Sequence, residues 1–117
     1  MRFPKAARLS TASEFGSVRA NGRPQHGSFM ILNVLRDAGS ARPRIGIITS
    51  RRVGGAVERN RVRRCLREIF RKHCLRLPPD CWLVLVARQK AATAEFSALE
   101  SEWLRLAGRA SILREPC

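Results

Sequence analysis

The chain has 117 residues, 44% hydrophobic and 27% charged, with 23 Lys or Arg against 9 Asp or Glu and a formal net charge of +14. That length holds one domain with its own core, and the apolar content excludes general disorder. So large a positive excess requires an anionic partner, and no segment approaches the roughly 20 apolar residues of a membrane span.

Residues 1–10 are basic, contain Pro4 and lack the apolar run of a signal peptide, so they read as an arm over the surface of a cytoplasmic protein. Thr11-Ala12-Ser13-Glu14 has the spacing of a capping box, which predicts a short helix to about Asn21 ended by Gly22. Phe15 and Val18 are its only apolar pair. For Phe15, core packing and stacking on a nucleic-acid base both remain open. Residues 22–27 read as a loop that exposes His26. Ser28–Arg36 and Arg44–Ser50 read as strands, joined by turn chemistry at Asp37–Ser40 into an antiparallel hairpin. Alternation sends Phe29 and Ile31 to one side and Met30 and Leu32 to the other. Gly46 marks a point where a backbone or ligand comes close.

Residues 51–76 carry ten Arg or Lys and two Glu. Val62, Cys65, Leu66, Ile69, Phe70, His73 and Leu77 recur at three- and four-residue steps, which predicts a helix with one buried stripe. At about 100° per residue, Arg59, Arg63 and Arg67 line one flank of that stripe. Asn60, Arg64 and Arg71 lie further out, with Arg61 and Lys72 opposite. Like charges four apart repel, so this helix is built to meet a polyanion. The glycine-rich entry Val53-Gly54-Gly55-Ala56 offers unpaired N–H groups to phosphate.

Pro78-Pro79 stops the helix. Asp80–Arg88 is a nearly continuous apolar run, as in a strand buried on both faces. A last helix is expected from Thr93 to about Arg109, with Phe96, Leu99, Trp103 and Leu106 on one face. Residues 1–10 are thus an arm, 11–109 one domain and 110–117 a tail. The order α-β-β-α-β-α implies an α+β fold, one small sheet covered by helices. Cys65, Cys74, Cys81 and Cys117 have no metal spacing and read as free thiols. No nucleophile–base pair, paired acids or P-loop appears, so the polypeptide is expected to bind rather than catalyse.

Arg44 to Arg64, R-I-G-I-I-T-S-R-R-V-G-G-A-V-E-R-N-R-V-R-R, closely resembles the signature of the bacterial ribonuclease P protein family, with Arg59-Asn60-Arg61 as its core. R-L-S-T-A-S-E-F, S-F-M-I-L and C-W-L-V-L-V-A-R are similar to that family's first helix and two of its strands. The resemblance implies a two-layer α/β sandwich with a mixed sheet and a left-handed β-α-β crossover. It also implies a subunit of an endoribonuclease that removes the 5′ leader of precursor tRNA, the chemistry being carried by a large RNA with Mg²⁺. Ribonuclease P RNA and precursor tRNA are then the partners, with no membrane and no obligate protein partner. By position, Phe15, Arg19, Met30, Leu32, Arg59, Arg63 and Arg67 would bind the leader. Arg51, Arg52, Asn60, Arg61 and Arg64 would face the catalytic RNA. Arg19 and Leu32 stand where the family often has aromatics, and Gly55 where it usually has Asn. The competing readings are a ribosomal or general RNA-binding protein and, less favoured for want of a helix-turn-helix, a DNA-binding regulator.

Overall fold

The structure is a computed structural model that describes residues 7–113; Arg2, Lys5 and Cys117 lie outside the described residues. Helix α1 spans Ala12–Asn21, and its capping box is formed: Thr11 Oγ1 accepts from Glu14 N at 3.1 Å, while Glu14 Oε1 accepts from Thr11 N at 3.0 Å. Gly22 ends the helix with φ −81°, so a left-handed backbone is not its reason for being glycine. A Cβ there would lie 2.3 Å from Asn33 Oδ1 and 2.5 Å from the Val18 carbonyl, leaving no room for a side chain.

The next segment corrects the loop reading. Arg23–His26 is a strand, β1, antiparallel to β2 (Met30–Leu35), with Arg23 opposite Val34 and His26 opposite Ile31. Pro24 is tolerated because β1 is an edge strand. Strand β3 (Arg44–Ile48) follows, then helix α2 (Ala56–His73), strand β4 (Trp82–Ala87) and helix α3 (Phe96–Arg109), with short 3₁₀ turns at Cys74–Arg76 and Gln89–Thr93. The element order is therefore α-β-β-β-α-β-α.

The sheet order β1-β2-β4-β3 also corrects the expected hairpin. Strand β4 enters between β2 and β3, antiparallel to the former and parallel to the latter. Its six residues, Trp-Leu-Val-Leu-Val-Ala, are the most apolar strand, so the slot paired on both edges suits it. The β2–β3 connection is fastened to the approach to β4 rather than folded on itself. Ala38 N donates to the Asp80 carbonyl at 3.0 Å and Arg44 N to that of Cys81 at 3.0 Å. Two residues of this connection, Asp37 and Gly39, take positive φ.

The main core fills one face of the sheet. Val62, Leu66, Ile69 and Phe70 of α2 join Leu99, Trp103 and Leu106 of α3 against Met30, Leu32, Leu83 and Leu85. A Leu66→Ala change here removes about 2–5 kcal/mol from a domain of this kind, a large part of the total stability of about 5–15 kcal/mol. The core reaches Ile112, past the boundary expected at 109, and Leu9 of the arm is buried on the other face. Arg8 there bridges to Ile45 and Leu9 N donates to the Ile45 carbonyl, so this segment shields the β3 edge. Helix α1 crosses this second face with Val18 against Val84, and it covers only part of it.

Candidate nucleic-acid interface

The groove begins with the way α1 is held. The Glu14 carboxylate accepts from Ser10 N at 2.7 Å, from Thr11 N and from Arg44 Nη1 at 2.6 Å. The Ser10 and Thr11 amides, and then Arg44, lower its pKa to about 2. Arg44 also donates from Nη2 to the Arg8 carbonyl at 2.6 Å and lies 5.3 Å from the centre of the Trp82 ring. The first helix, the arm and the sheet are locked by one guanidinium. This lock sets Phe15 on Gly46: a Cβ at Gly46 would lie 2.4 Å and 2.5 Å from the ring atoms Cε1 and Cζ. The close approach anticipated at Gly46 is made by an aromatic ring, half-buried, whose open side faces a small cavity also lined by Arg8 and Arg67.

Helix α2 supplies the charge. Arg59, Arg63 and Arg67 are half-buried on the flank of its apolar stripe, as the periodicity predicts. Burial first, and then the charges of Arg8 and Arg63, lower the pKa of Arg67. Arg63 Nε is buried with no hydrogen-bond partner among the described residues. The Arg67 guanidinium is thus held beside Phe15 close to two other cations, which favours an anion there. Asn60 and Arg64 are exposed on the outer face, as are Arg51 and Arg52 before the helix. Glu68 pairs with Arg71 and neutralises the far end of that face. At the near end the helix starts at Gly55 with no side-chain cap, after Gly54 at φ 148°, and the Glu58 side chain lies against both glycines.

Three expected site residues sit elsewhere. Met30 and Leu32 are 0% exposed and packed under α2 and α3, so they cannot wall a groove on the α1 side. Their neighbours hold those places. Pairing sets Ile31 opposite Val86 and Asn33 opposite Val84, on the face that carries Phe15, Gly46 and Ile48. Alternation separates the two sets correctly, but only the strand register reveals which one α1 meets. Arg61 is the third: its Nη1 and Nη2 donate to the carbonyls of Ala92 and Ala94, and it clasps α2 to the turn before α3. It is half-buried rather than free to meet RNA. Arg19 is exposed one turn after Phe15. His73 has a carboxylate partner that short-range spacing misses, Glu100 at 2.9 Å, and stacks on Trp103.

The family model described as Ribonuclease P matches residues 3–111. This chain belongs to the ribonuclease P protein family. Relatives named ribonuclease P protein component include one from Dehalococcoides mccartyi, 39% identical over 109 residues, covering 93% of this chain and 88% of the relative. Another, from Acidothermus cellulolyticus, is 36% identical over 108 residues, covering 92% and 90%. The RNase P protein of Staphylococcus aureus has the same fold, with a TM-score of 0.85 at 22% identity over 94% of this chain and 100% of that one. That of Thermotoga maritima, in complex with 1-(4-fluorophenyl)-2-thiourea, gives 0.78 at 25% identity over 87% and 98%. The family's role is the protein component of a ribonucleoprotein endoribonuclease in tRNA 5′ maturation. For this ribonuclease P protein, RNA is the anionic partner that a net charge of +14 calls for.

Proposed function

We propose that the two surfaces of α2 divide the RNA of the holoenzyme between them. The groove formed by Phe15, Arg19, the half-buried Arg59, Arg63 and Arg67, and the open sheet face of Ile31, Val86 and Ile48 receives the single-stranded 5′ leader of precursor tRNA. Arg51, Arg52, Asn60 and Arg64 grip the catalytic RNA, and Arg61 holds the helix in position for them. One observation carries this reading: the Phe15 ring is seated on Gly46 beside arginines packed against one another. A fixed aromatic with cations along it suits a strand read without sequence preference, since every base has a face to stack and every phosphate a charge.

The protein's part in cleavage is then positional. Holding the leader in the groove aligns the bond at the mature 5′ end with the RNA active site, where Mg²⁺ supplies metal-assisted phosphodiester hydrolysis. Among the described residues no three His, Cys, Asp or Glu converge. In this reading the Mg²⁺ is held mainly by the RNA of the holoenzyme, whose phosphate oxygens suit a hard cation. No helix among the described residues is long and apolar enough to cross a membrane. Work on precursor tRNA would be done in the cytoplasm.

The test is reconstitution with ribonuclease P RNA and precursor tRNA at low Mg²⁺. Stimulated cleavage at the mature 5′ end is the expected result. A protein that left cleavage by the RNA unchanged would be a general RNA binder instead.

A further inference from the structure

Helix α1 has little apolar grip of its own. Of its 10 residues only Val18 is fully buried, with Phe15 half-buried beside it, and isolated helices shorter than about 12–15 residues are marginal in water. The angle at which α1 lies on the sheet therefore depends on polar ties. It is fastened to β3 by Arg44, whose Nη1 donates to Glu14 Oε2 and whose Nη2 donates to the Arg8 carbonyl, each at 2.6 Å. A planar guanidinium serves two acceptors at once only when its plane is held.

Trp82 holds it. This residue opens β4 opposite Leu35 on β2 and Arg44 on β3. Alternation puts its ring on the α1 face with Val84 and Val86. The ring centre lies 5.3 Å from Arg44 Cζ, inside the range of about 6 Å over which a cation is drawn to an aromatic face. The indole is itself pinned by one edge. Its Nε1 donates to Ser40 Oγ at 3.1 Å, and Ser40 Oγ donates to the Arg42 carbonyl at 2.9 Å, with the Pro79 carbonyl at 3.2 Å. Tethering that edge turns the face of the ring, rather than its rim, toward the guanidinium. The contacts run in series from Ser40 through Trp82 and Arg44 to Glu14, whose neighbour in the chain is Phe15. The main core fills the other side of the sheet and includes none of these residues. Breaking the series therefore loosens α1 while leaving the fold its principal support.

We propose that Trp82 is a positioning residue for leader recognition. Pinned by Ser40, it holds Arg44 in the plane that ties down α1, and so sets where Phe15 meets a base; it acts through Arg44 and not on the RNA. This inference rests on the leader-groove reading above.

Holoenzyme reconstituted from ribonuclease P RNA and each full-length variant is assayed with leader-bearing and leaderless precursor tRNA, with thermal melts alongside. Trp82→Leu removes both the aromatic face and the edge donor, Trp82→Phe keeps the face alone, and Ser40→Ala removes only the acceptor. Trp82→Leu is expected to raise the KM ratio of leader-bearing to leaderless precursor about fivefold, the scale of one partly desolvated cation–π contact. Trp82→Phe and Ser40→Ala should each give a smaller rise, and the pair no more than Trp82→Phe alone, because both cut the same tether. A purely structural role would lower melting and the amount of active holoenzyme alike for both substrates and leave the ratio unmoved. An unchanged ratio in Trp82→Leu overturns the proposal; if that variant does not fold, an unchanged ratio in both Trp82→Phe and Ser40→Ala does so. A full further effect of Trp82→Leu in an Arg44→Gln background also overturns it, since the ring would then act without Arg44. Phe15→Ala separates the two levels of the reading. If it shifts the ratio while Trp82→Leu does not, the positioning role alone fails, whereas no shift with Phe15→Ala refutes the leader groove and the role of Trp82 with it.

Discussion

Gly46→Ala tests the seat of Phe15. The added methyl would sit 2.4–2.5 Å from Cε1 and Cζ of the ring, about 1 Å inside the 3.4 Å at which ordinary van der Waals contact begins. The ring cannot move down through the sheet, and α1 is tied at Glu14 to Arg44 and to Ser10 N. The overlap therefore displaces either the ring or the helix, a cost of about 1–3 kcal/mol for overpacking a close contact. If the displaced ring no longer meets the leader, base stacking worth about 1–3 kcal/mol is lost as well, a roughly 5- to 150-fold loss of preference for leader-bearing substrate. Chemical denaturation gives the first quantity, and the KM ratio of leader-bearing to leaderless precursor in the reconstituted holoenzyme gives the second. A double-mutant cycle with Phe15→Ala isolates the cause: Gly46→Ala should cost much less once the ring is gone. If Gly46→Ala is as stable as the parent and keeps its leader preference, or costs the same in the Phe15→Ala background, then Gly46 does not seat the ring.

Arg61→Ala should lower the melting temperature, because it removes two hydrogen bonds from a charged donor to carbonyls, each worth about 1.5–3 kcal/mol. Arg64→Ala should leave melting unchanged and instead weaken RNA binding, with a salt slope smaller by about 0.9; equal melting of the two variants would contradict this division. Glu14 has its pKa lowered in the folded protein, so its contribution to stability is complete above the ordinary value of 4.5 and fades as pH falls toward about 2. Denaturation as a function of pH should show Glu14→Gln less stable than the parent at neutral pH, with the two converging in acid. Gly27→Ala should cost more than Gly108→Ala, since the first Cβ meets Glu102 at 1.9 Å and the second meets nothing within 4 Å; equal melting would show that the Glu102 carboxylate can move aside.

Helix α2 was readable from the chain because one stripe, Val62, Leu66, Ile69 and Phe70, has to be buried, and that sets Arg59, Arg63 and Arg67 along its flank. The same holds for α3 and for the alternating β2. What could not be read depends on contacts distant in sequence. Arg-Pro-Gln-His has no apolar alternation, and only its partner strand makes it β1. The place of β4 between β2 and β3 turned a plausible hairpin into a crossover, and the position-by-position carry-over that put Met30 and Leu32 in the groove fails because they lie on the face under α2 and α3. Arg61 looks like its neighbours in sequence, but carbonyls 31 and 33 residues away engage its guanidinium. His73 and Glu100, 27 residues apart, meet for the same reason.

Strands β3 and β4 lie side by side and parallel, and the polypeptide between them is α2 itself. Parallel neighbours cannot be closed by a tight turn, so the edge of the sheet is completed only as the arginine-bearing helix docks. Assembly of the scaffold and display of its cations are one cooperative event. A fragment ending before Trp82 would forfeit both together, and the helix cut free would face its own repulsion with no hydrophobic bed to offset it.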